Sequence, residues 1–112
     1  MKAWGRIEVS TIATISTAHI PSKDRNIIED AIANENSDAY SEGHWVKELT
    51  WISFEYGYLV SGRSLIRTKK ENPECLPDHF NEMAQMAEDL NLGWIMFDTD
   101  ADVVEGLEEF ED

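Results

Sequence analysis

The side chains with the most obvious chemical potential in this 112-residue sequence are carboxylates, and they are concentrated at one end of the chain. Residues 71–112 contain fourteen Asp and Glu and no Lys or Arg, whereas residues 1–70 contain nine acids and nine bases. The formal net charge of −14 therefore comes entirely from the C-terminal segment. Because like charges repel and oppose compaction, this arrangement indicates either a binding partner or a requirement for solubility.

A dense group of acids follows the predicted last strand and has part of the spacing of a calcium-binding loop. Asp98, Asp100, Asp102 and Glu109 would occupy positions 1, 3, 5 and 12 of such a loop. Position 6 is Val103, where a calcium loop requires the glycine that makes its sharp turn. We therefore expect a solvated turn here rather than a specific calcium site.

Cys75 and His79 have the C-x3-H spacing of half a zinc site. The other half is missing, because His19 and His44 are isolated and the sequence contains one cysteine. Cys75 also lacks a recognisable nucleophile motif, and its acidic surroundings disfavour the thiolate. We expect His19 to be a buried or strand-end histidine that forms local hydrogen bonds. The sequence thus predicts no catalytic residue, no metal site, no cofactor and no enzymatic activity.

The acidic segment gives the strongest indication of a function. A compact domain of this length is about 30–35 Å across, and duplex DNA of that length carries about 18–20 phosphate charges. Fourteen carboxylates come within a factor of about two of that charge. We predict a non-enzymatic inhibitor or adaptor that binds a basic, nucleic-acid-binding protein surface, with solubility as the alternative explanation. The predicted contact residues are Glu82, Glu88, Asp89, Asp98, Asp100, Asp102, Glu105, Glu108, Glu109, Glu111 and Asp112.

Four aromatic residues, Trp45, Trp51, Tyr56 and Tyr58, lie around the predicted hairpin. At least half of them are expected in the core, since a domain of this size needs aromatic volume. The others are candidate anchors for a partner or for a second copy of the chain. The alternative function is therefore a self-associating structural or regulatory adaptor module, such as a homodimer, without nucleic-acid mimicry.

The composition predicts one globular domain over residues 1–112, with 98–112 as an acidic C-terminal extension. One cysteine excludes an internal disulfide and suits a reducing cytoplasm. No apolar run is long enough to span a membrane, and the N-terminus lacks the apolar run of a secretion signal. We therefore expect a cytoplasmic protein. Its negative charge disfavours direct binding to nucleic acid or to anionic membranes, because both are polyanions.

The first half of the chain predicts a strand, a helix and a hairpin. Residues 7–19 are rich in β-branched residues and carry one charge, so we place this strand centrally in a sheet. Its apolar face is Ile7, Val9, Ala13 and Ile15, and its length predicts a break near Thr11. A helix begins at Ser22, and strands follow over 46–54 and 57–61. The hairpin turn at 55–57 predicts a positive φ at its glycine, and 63–75 reads as a loop.

The second half predicts a helix, a strand and an acidic tail. The helix begins at Asp78 and is followed by Gly93 as its stop, and its apolar face is Phe80, Met83, Ala84, Ala87 and Leu90. The strand over 94–97 is fully apolar, which predicts burial on both faces. The tail has only Val103, Val104, Leu107 and Phe110 as apolar anchors. The order β-α-β-β-α-β predicts an α+β, ferredoxin-like two-layer sandwich.

Three stretches, Ser16–His19, Phe54–Tyr58 and Trp94–Leu107, resemble a family of uncharacterised small domains, the domain of unknown function 5983, which is carried on bacterial plasmids and phages. The family tends to end in a Pro-Thr-aromatic element, whereas this chain ends in the more acidic sequence EEFED. The resemblance implies a mobile-element origin in a bacterial host cell and favours a counter-defence role. The expectation is therefore inhibition of a host defence complex, of anti-CRISPR or anti-restriction type, with DNA mimicry as one mechanism. The resemblance implies no catalytic residues.

Overall fold

The computed structural model describes residues 5, 9–33 and 44–110. These residues form a four-stranded sheet in the order β1-β4-β3-β2. The strands are β1 (Ile12–Ser16), β2 (Trp51–Phe54), β3 (Gly57–Ser61) and β4 (Trp94–Asp98). The helices are α1 (Ser22–Ala33), α2 (Gly62–Glu71) and α3 (Asp78–Leu90), with short 3-10 turns at Thr17–His19 and His44–Glu48. Among the described helices, none is long and apolar enough to cross a membrane.

The mixed α/β class is confirmed, but the strand order differs from the ferredoxin-like arrangement. β1 pairs with β4 in parallel, and β4 pairs with β3 in antiparallel orientation, so the split βαβ units of that arrangement are not formed. The difference arises between β3 and β4, where α2 replaces most of the predicted loop at 63–75. With two helices in this connection, the chain returns to the end of β3 that it left. Trp94 at the start of β4 therefore pairs with Ser61 at the end of β3.

The placement of β1 in the centre of the sheet was wrong, because β1 lies at one edge. The strand is also shorter than the β-branched run predicts. It ends at Ser16, whose Oγ accepts a hydrogen bond from the Ala18 N–H at 3.0 Å and so begins the 3-10 turn. Val9 lies outside the strand and is 86% exposed, whereas Ile15 faces the core as predicted. Ile7 lies outside the described residues.

The core forms between one face of the sheet and the helices, with Phe80 of α3 near its centre. The Phe80 ring lies 4.9 Å from Trp45, 6.0 Å from Trp51 and 6.4 Å from Phe97, measured between ring centroids. The other buried apolar residues include Ile15, Ile28, Tyr58, Val60, Leu65, Met83, Ala84, Ala87 and Ile95. These rings and side chains hold the described helices against the same face of the sheet.

The opposite face of the sheet is open among the described residues. Trp94 and Met96 of β4 are only half-buried there, so the prediction that this strand is buried on both faces was wrong. Ile12 and Ile52 are 48% and 49% exposed. The register places Trp94 opposite Ile12 and Met96 opposite Leu59, which makes these side chains neighbours on one surface.

The predicted starts of α1 at Ser22 and of α3 at Asp78 were confirmed. The end of α3, at Leu90, is formed by a different residue from the one predicted. Asn91 follows α3 in the left-handed region, with φ 52°, and its N–H donates to the Glu88 carbonyl at 3.3 Å. Asn91, rather than Gly93, is therefore the residue that ends the helix. Leu90 is 61% exposed and does not join the buried face of α3.

The hairpin forms as predicted, with Glu55 and Tyr56 as its two-residue loop, although the first strand begins only at Trp51. Gly57 does not have a positive φ; among the described glycines that conformation occurs at Gly106. Glycine is required at position 57 because β4 lies so close. A Cβ at this position would stand 1.8 Å from the Phe97 carbonyl oxygen.

Over its described residues, 98–110, the acidic tail is bound to the end of β1 by hydrogen bonds. The imidazole of His19, which is fully buried, accepts the Val104 N–H at Nε2 (2.8 Å). Its Nδ1 therefore carries the proton and donates to the Glu108 carbonyl oxygen at 2.8 Å. The Phe110 N–H donates to the Ala18 carbonyl at 2.7 Å. The prediction of local bonds for His19 was wrong, since its partners are 85 and 89 residues away.

We predict that Gly57→Ala opens the β3–β4 pairing, because its Cβ overlaps the Phe97 carbonyl. The loss in the free energy of unfolding should be at least about 2–3 kcal/mol. Urea unfolding measures it, with Gly5→Ala as the control, because nothing lies within 4 Å of a Cβ at position 5. Equal stability of the two variants would contradict the close approach.

We predict that His19→Phe releases the tail, because a planar ring is kept while the Val104 N–H and the Glu108 carbonyl lose their partner. The free energy of unfolding should fall by about 2–4 kcal/mol. Hydrogen exchange should accelerate most over residues 102–110. Val103→Ala, on the same segment at a half-exposed position, should cost less than about 0.5 kcal/mol. Unchanged exchange of the tail in His19→Phe would show that the imidazole does not hold it.

Candidate functional site

A groove of about 410 Å³ separates α3 from the acidic tail. Its apolar lining is Met86, Leu90 and Leu107, and its acidic lining is Glu82 and Asp89, with Gln85 and Gly106 completing it. Leu90 is the most exposed large apolar side chain of the helix, at 61%. An apolar floor with an acidic rim suits a partner that is both basic and partly apolar.

The sequence of α3 explains one wall of the groove. Glu82, Met86 and Asp89 have the spacing i, i+4 and i+7, which places them on one face of a helix. The opposite face is the buried one, because Met83 and Ala87 belong to the core. The amphipathic pattern that packs α3 against the sheet therefore also presents this wall outward.

The tail forms the other wall because His19 holds it in place. Between the two backbone groups that bind the imidazole, the chain makes a turn in which the Leu107 N–H donates to the Val104 carbonyl at 3.2 Å. Gly106 has φ 100°, a conformation that favours glycine, and nothing crowds it. Val104 and Leu107 pack against the core cluster. The turn thereby brings Leu107 to the groove, with Glu108 beside it in sequence.

The charge of the molecule is polarised across α2 and α3, which pack side by side. Residues 71–110 contain twelve acids and no base, and eleven of these acids are exposed. α2 carries Arg63, Arg67, Lys69 and Lys70. Lys70 Nζ lies 3.9 Å from Glu88 Oε1, and Lys69 donates to Gln85 at one border of the groove. Glu88 is therefore partly neutralised. Among the described residues no ion pair involves Glu82 or Asp89, and Asp89 Oδ1 accepts a hydrogen bond from the Gln85 amide at 2.9 Å.

The structure distributes the predicted contact acids over two places. Glu82 and Asp89 line the groove, and Glu105 and Glu108 flank its Gly106–Leu107 wall. Asp98, Asp100 and Asp102 belong instead to the turn after β4, where Asp98 Oδ1 accepts the Asp100 N–H at 2.9 Å and the Asp102 carbonyl accepts the Ser16 N–H. Glu109 is exposed near the end of the described tail. Glu111 and Asp112 lie outside the described residues.

The predicted aromatic anchors are mostly structural. Trp45 and Tyr58 are buried in the core, and Trp51 is half-buried with its Nε1–H donating to the Val46 carbonyl at 3.2 Å. Tyr56, at the tip of the hairpin, is exposed and stays available to a partner. Sequence proximity to the hairpin did not separate these roles, because Trp51 and Tyr58 lie on the core face of their strands.

Cys75 and His79, two residues of types that can support catalysis, lie in packed surroundings. Burial raises the pKa of the Cys75 thiol above its usual range, and Glu48 raises it further, so the thiolate is disfavoured. His79 Nε2 lies 2.8 Å from Asp24 Oδ2, so the imidazole of this histidine is turned toward α1. Phe110 packs across the His79 ring at 5.2 Å. Within 9–33 and 44–110, no three His, Cys, Asp or Glu side chains form a group that could hold a metal ion.

Sequence reasoning missed the apolar floor of the groove. Met86 was not assigned to the buried stripe of α3, and its position between Glu82 and Asp89 is the signal that marks it as part of an outward apolar surface. The sequence pattern indicates that Leu107 anchors the tail, but not that it also lines the groove. That α3 and the tail would face each other depends on the distant bond at His19, which no local pattern reports.

Comparisons with known proteins identify the chain at the level of its family. A search of curated proteins and a search of solved structures gave no significant match. A family model described as "Family of unknown function (DUF5983) C-terminal domain" matches residues 12–112. This match spans every described strand and helix. The chain therefore belongs to the DUF5983 C-terminal domain family, in agreement with the resemblance carried by its three sequence motifs.

Proposed function

We propose that this protein is an acidic, non-enzymatic binding protein that engages a basic surface of a nucleic-acid-binding protein. The observation that carries the proposal is the groove between α3 and the tail, which has an apolar floor, an acidic rim and no base in the segment 71–110 that forms both walls. A solubilising charge needs no such floor. An exposed Leu90 beside half-buried Met86 and Leu107, within a rim of carboxylates, favours a protein partner instead.

The rim and the floor have different roles in binding. Rim carboxylates such as Glu82 and Asp89 attract lysine and arginine over a distance and mainly raise the association rate. Leu90, Met86 and Leu107 lose exposed apolar surface when covered and slow dissociation. The partner surface is therefore expected to combine basic residues with at least one apolar side chain that fits the groove.

A host defence complex is the proposed target, through an anti-CRISPR or anti-restriction action. Such complexes bind nucleic acid through basic channels, and a surface of closely spaced carboxylates competes for the same lysines and arginines. The mobile-element origin implied by the sequence motifs supports this choice of target. DNA mimicry is the corresponding mechanism: the acidic groove occupies the basic channel and excludes the nucleic acid.

A second candidate function is self-association through the open face of the sheet. Ile12 and Ile52 are each about half exposed there, and Leu59, Trp94 and Met96 are half-buried beside them. All the described strands contribute to this apolar surface. Such a surface is more typical of a homodimer interface than of a sheet face that is exposed to solvent. This candidate requires no partner other than a second copy of the chain.

The leading proposal predicts salt-sensitive binding that depends on the groove. A partner captured from bacterial lysate should bind nucleic acid, and its affinity for this protein should fall at least about tenfold between 50 and 200 mM salt. Glu82→Gln combined with Asp89→Asn should weaken binding about tenfold, since each unpaired rim charge contributes about 0.5–1 kcal/mol. Surface plasmon resonance should show this loss mainly in the association rate.

The matched control is Glu71→Gln combined with Glu74→Gln, which removes the same charge from exposed positions outside the groove lining. This control should weaken binding less than about threefold. Equal losses in the two double variants would mean that net charge alone governs binding. An affinity independent of salt would contradict the proposal.

The second candidate predicts a dimer that strengthens with salt, because screening reduces the repulsion between two chains of charge −14. Sedimentation velocity at 50 and 500 mM salt measures this directly. Ile52→Lys should abolish the dimer, whereas Val103→Lys, equally exposed but on the tail, should not. A monomer at both salt concentrations would exclude this candidate.

A further inference from the structure

A second cleft, of about 610 Å³, lies between α1 and the hairpin. It opens at the sheet edge where the carboxyl end of β4 meets the hairpin, since Gly57 pairs with Asp98. Its lining residues include Thr17, Arg25, Glu29, Ile32, Ser53, Phe54, Glu55, Tyr56, Tyr58 and Thr99. The volume falls within the range of about 300–1,000 Å³ that small-molecule sites occupy.

The hydroxyl of Tyr58 is the feature that distinguishes this cleft from a surface depression. The Tyr58 side chain is 4% exposed, and its hydroxyl has no hydrogen-bond partner in the part of the chain that the structure describes. Buried polar groups are nearly always paired, and an unpaired one calls for an explanation such as a ligand. Tyr58 is one of the residues that line the cleft, so a molecule bound there is the partner that this unpaired hydroxyl could gain.

The surroundings determine what the hydroxyl offers to a ligand. Burial raises the pKa of Tyr58 above its usual range, and the Glu29 carboxylate raises it further, against a smaller opposing effect of Arg25. The hydroxyl therefore stays protonated and can donate a hydrogen bond at physiological pH. Glu29 and Arg25 also line the cleft, and both are close enough to Tyr58 for their charges to act on its hydroxyl.

We propose that this cleft binds a planar ligand whose edge presents a carbonyl oxygen beside an N–H group. The carbonyl accepts from the Tyr58 hydroxyl and the N–H donates to the Glu29 carboxylate, while the rings of Phe54 and Tyr56 lie along the body of the ligand. Aromatic carboxamides, lactams and oxo-nucleobases share this edge. Anions are disfavoured, because the lining carries two carboxylates, Glu29 and Glu55, against one guanidinium.

This inference is independent of the proposed function, because it rests on a different cleft and a different ligand class. The test is an NMR titration of the full chain with benzamide, uracil and benzoate. Benzamide or uracil should shift the amide resonances of Tyr58 and Thr99, and whichever binds more tightly identifies the carboxamide or the nucleobase source. Benzoate, a ring of similar size with a negative charge and no N–H, should bind at least about tenfold more weakly than benzamide.

Variants test the two named contacts. Tyr58→Phe should weaken the tighter neutral probe about tenfold, since it removes one buried hydrogen bond and keeps the ring. Thr14→Val is the matched control, because it removes an exposed hydroxyl outside the lining of this cleft and should change the affinity less than twofold. Glu29→Gln, at an exposed position where folding is not at risk, should weaken binding about threefold. No shift with either neutral probe, or equal affinity of wild type and Tyr58→Phe, would overturn the proposal.

Discussion

The imidazole of His19 is the contact on which the arrangement of the acidic segment depends. It joins the end of β1 to two backbone groups of the tail, at Val104 and Glu108, and both of its nitrogens are used. A tail with this many like charges has little tendency to fold back on its own, because repulsion favours extension. Two hydrogen bonds in a fully buried setting, with Val104 and Leu107 packed beside them, offset that repulsion. This contact acts together with the Ser16–Asp102 and Phe110–Ala18 backbone hydrogen bonds to hold the tail as the wall of the groove.

The second constraint is the connection between β3 and β4. Because α2 and α3 both lie in it, β4 is antiparallel to β3 and parallel to β1, and its carboxyl end meets the end of β1. The tail that leaves β4 therefore starts beside Ser16 and His19 and can reach them at once. The same connection places a basic helix beside an acidic one. The polarity of the surface is thus a consequence of the topology, and the bases border the groove instead of cancelling it.

The sequence correctly predicted the helices and strands whose apolar residues recur with the regular spacing of a helix or of a strand. α1, α3, β3 and β4 have such patterns and were found close to the predicted positions. α2 was missed because its packed face is partly polar: Ser64 and Thr68 are buried and bond to Ser61 and Glu48 instead of forming an apolar stripe. The sheet order could not follow without it, since an additional helix reverses the direction of β4. The charge pattern of the sequence predicted the acidic residues of the site but not the groove that they line. The groove depends on hydrogen bonds from His19 to Val104 and Glu108, which lie 85 and 89 positions away in the sequence.

The central claim is that the carboxylates around the groove, and not the net charge of the molecule, contact the basic partner. Carbodiimide cross-linking of the complex, followed by mass spectrometry, tests it directly, because the reagent joins carboxylates to lysines in contact without a spacer. The account predicts cross-links from partner lysines concentrated at Glu82, Asp89, Glu105 and Glu108. Cross-links spread equally to Glu71 and Glu74, or found mainly at Glu29 and Glu55 of the cleft between α1 and the hairpin, would contradict it.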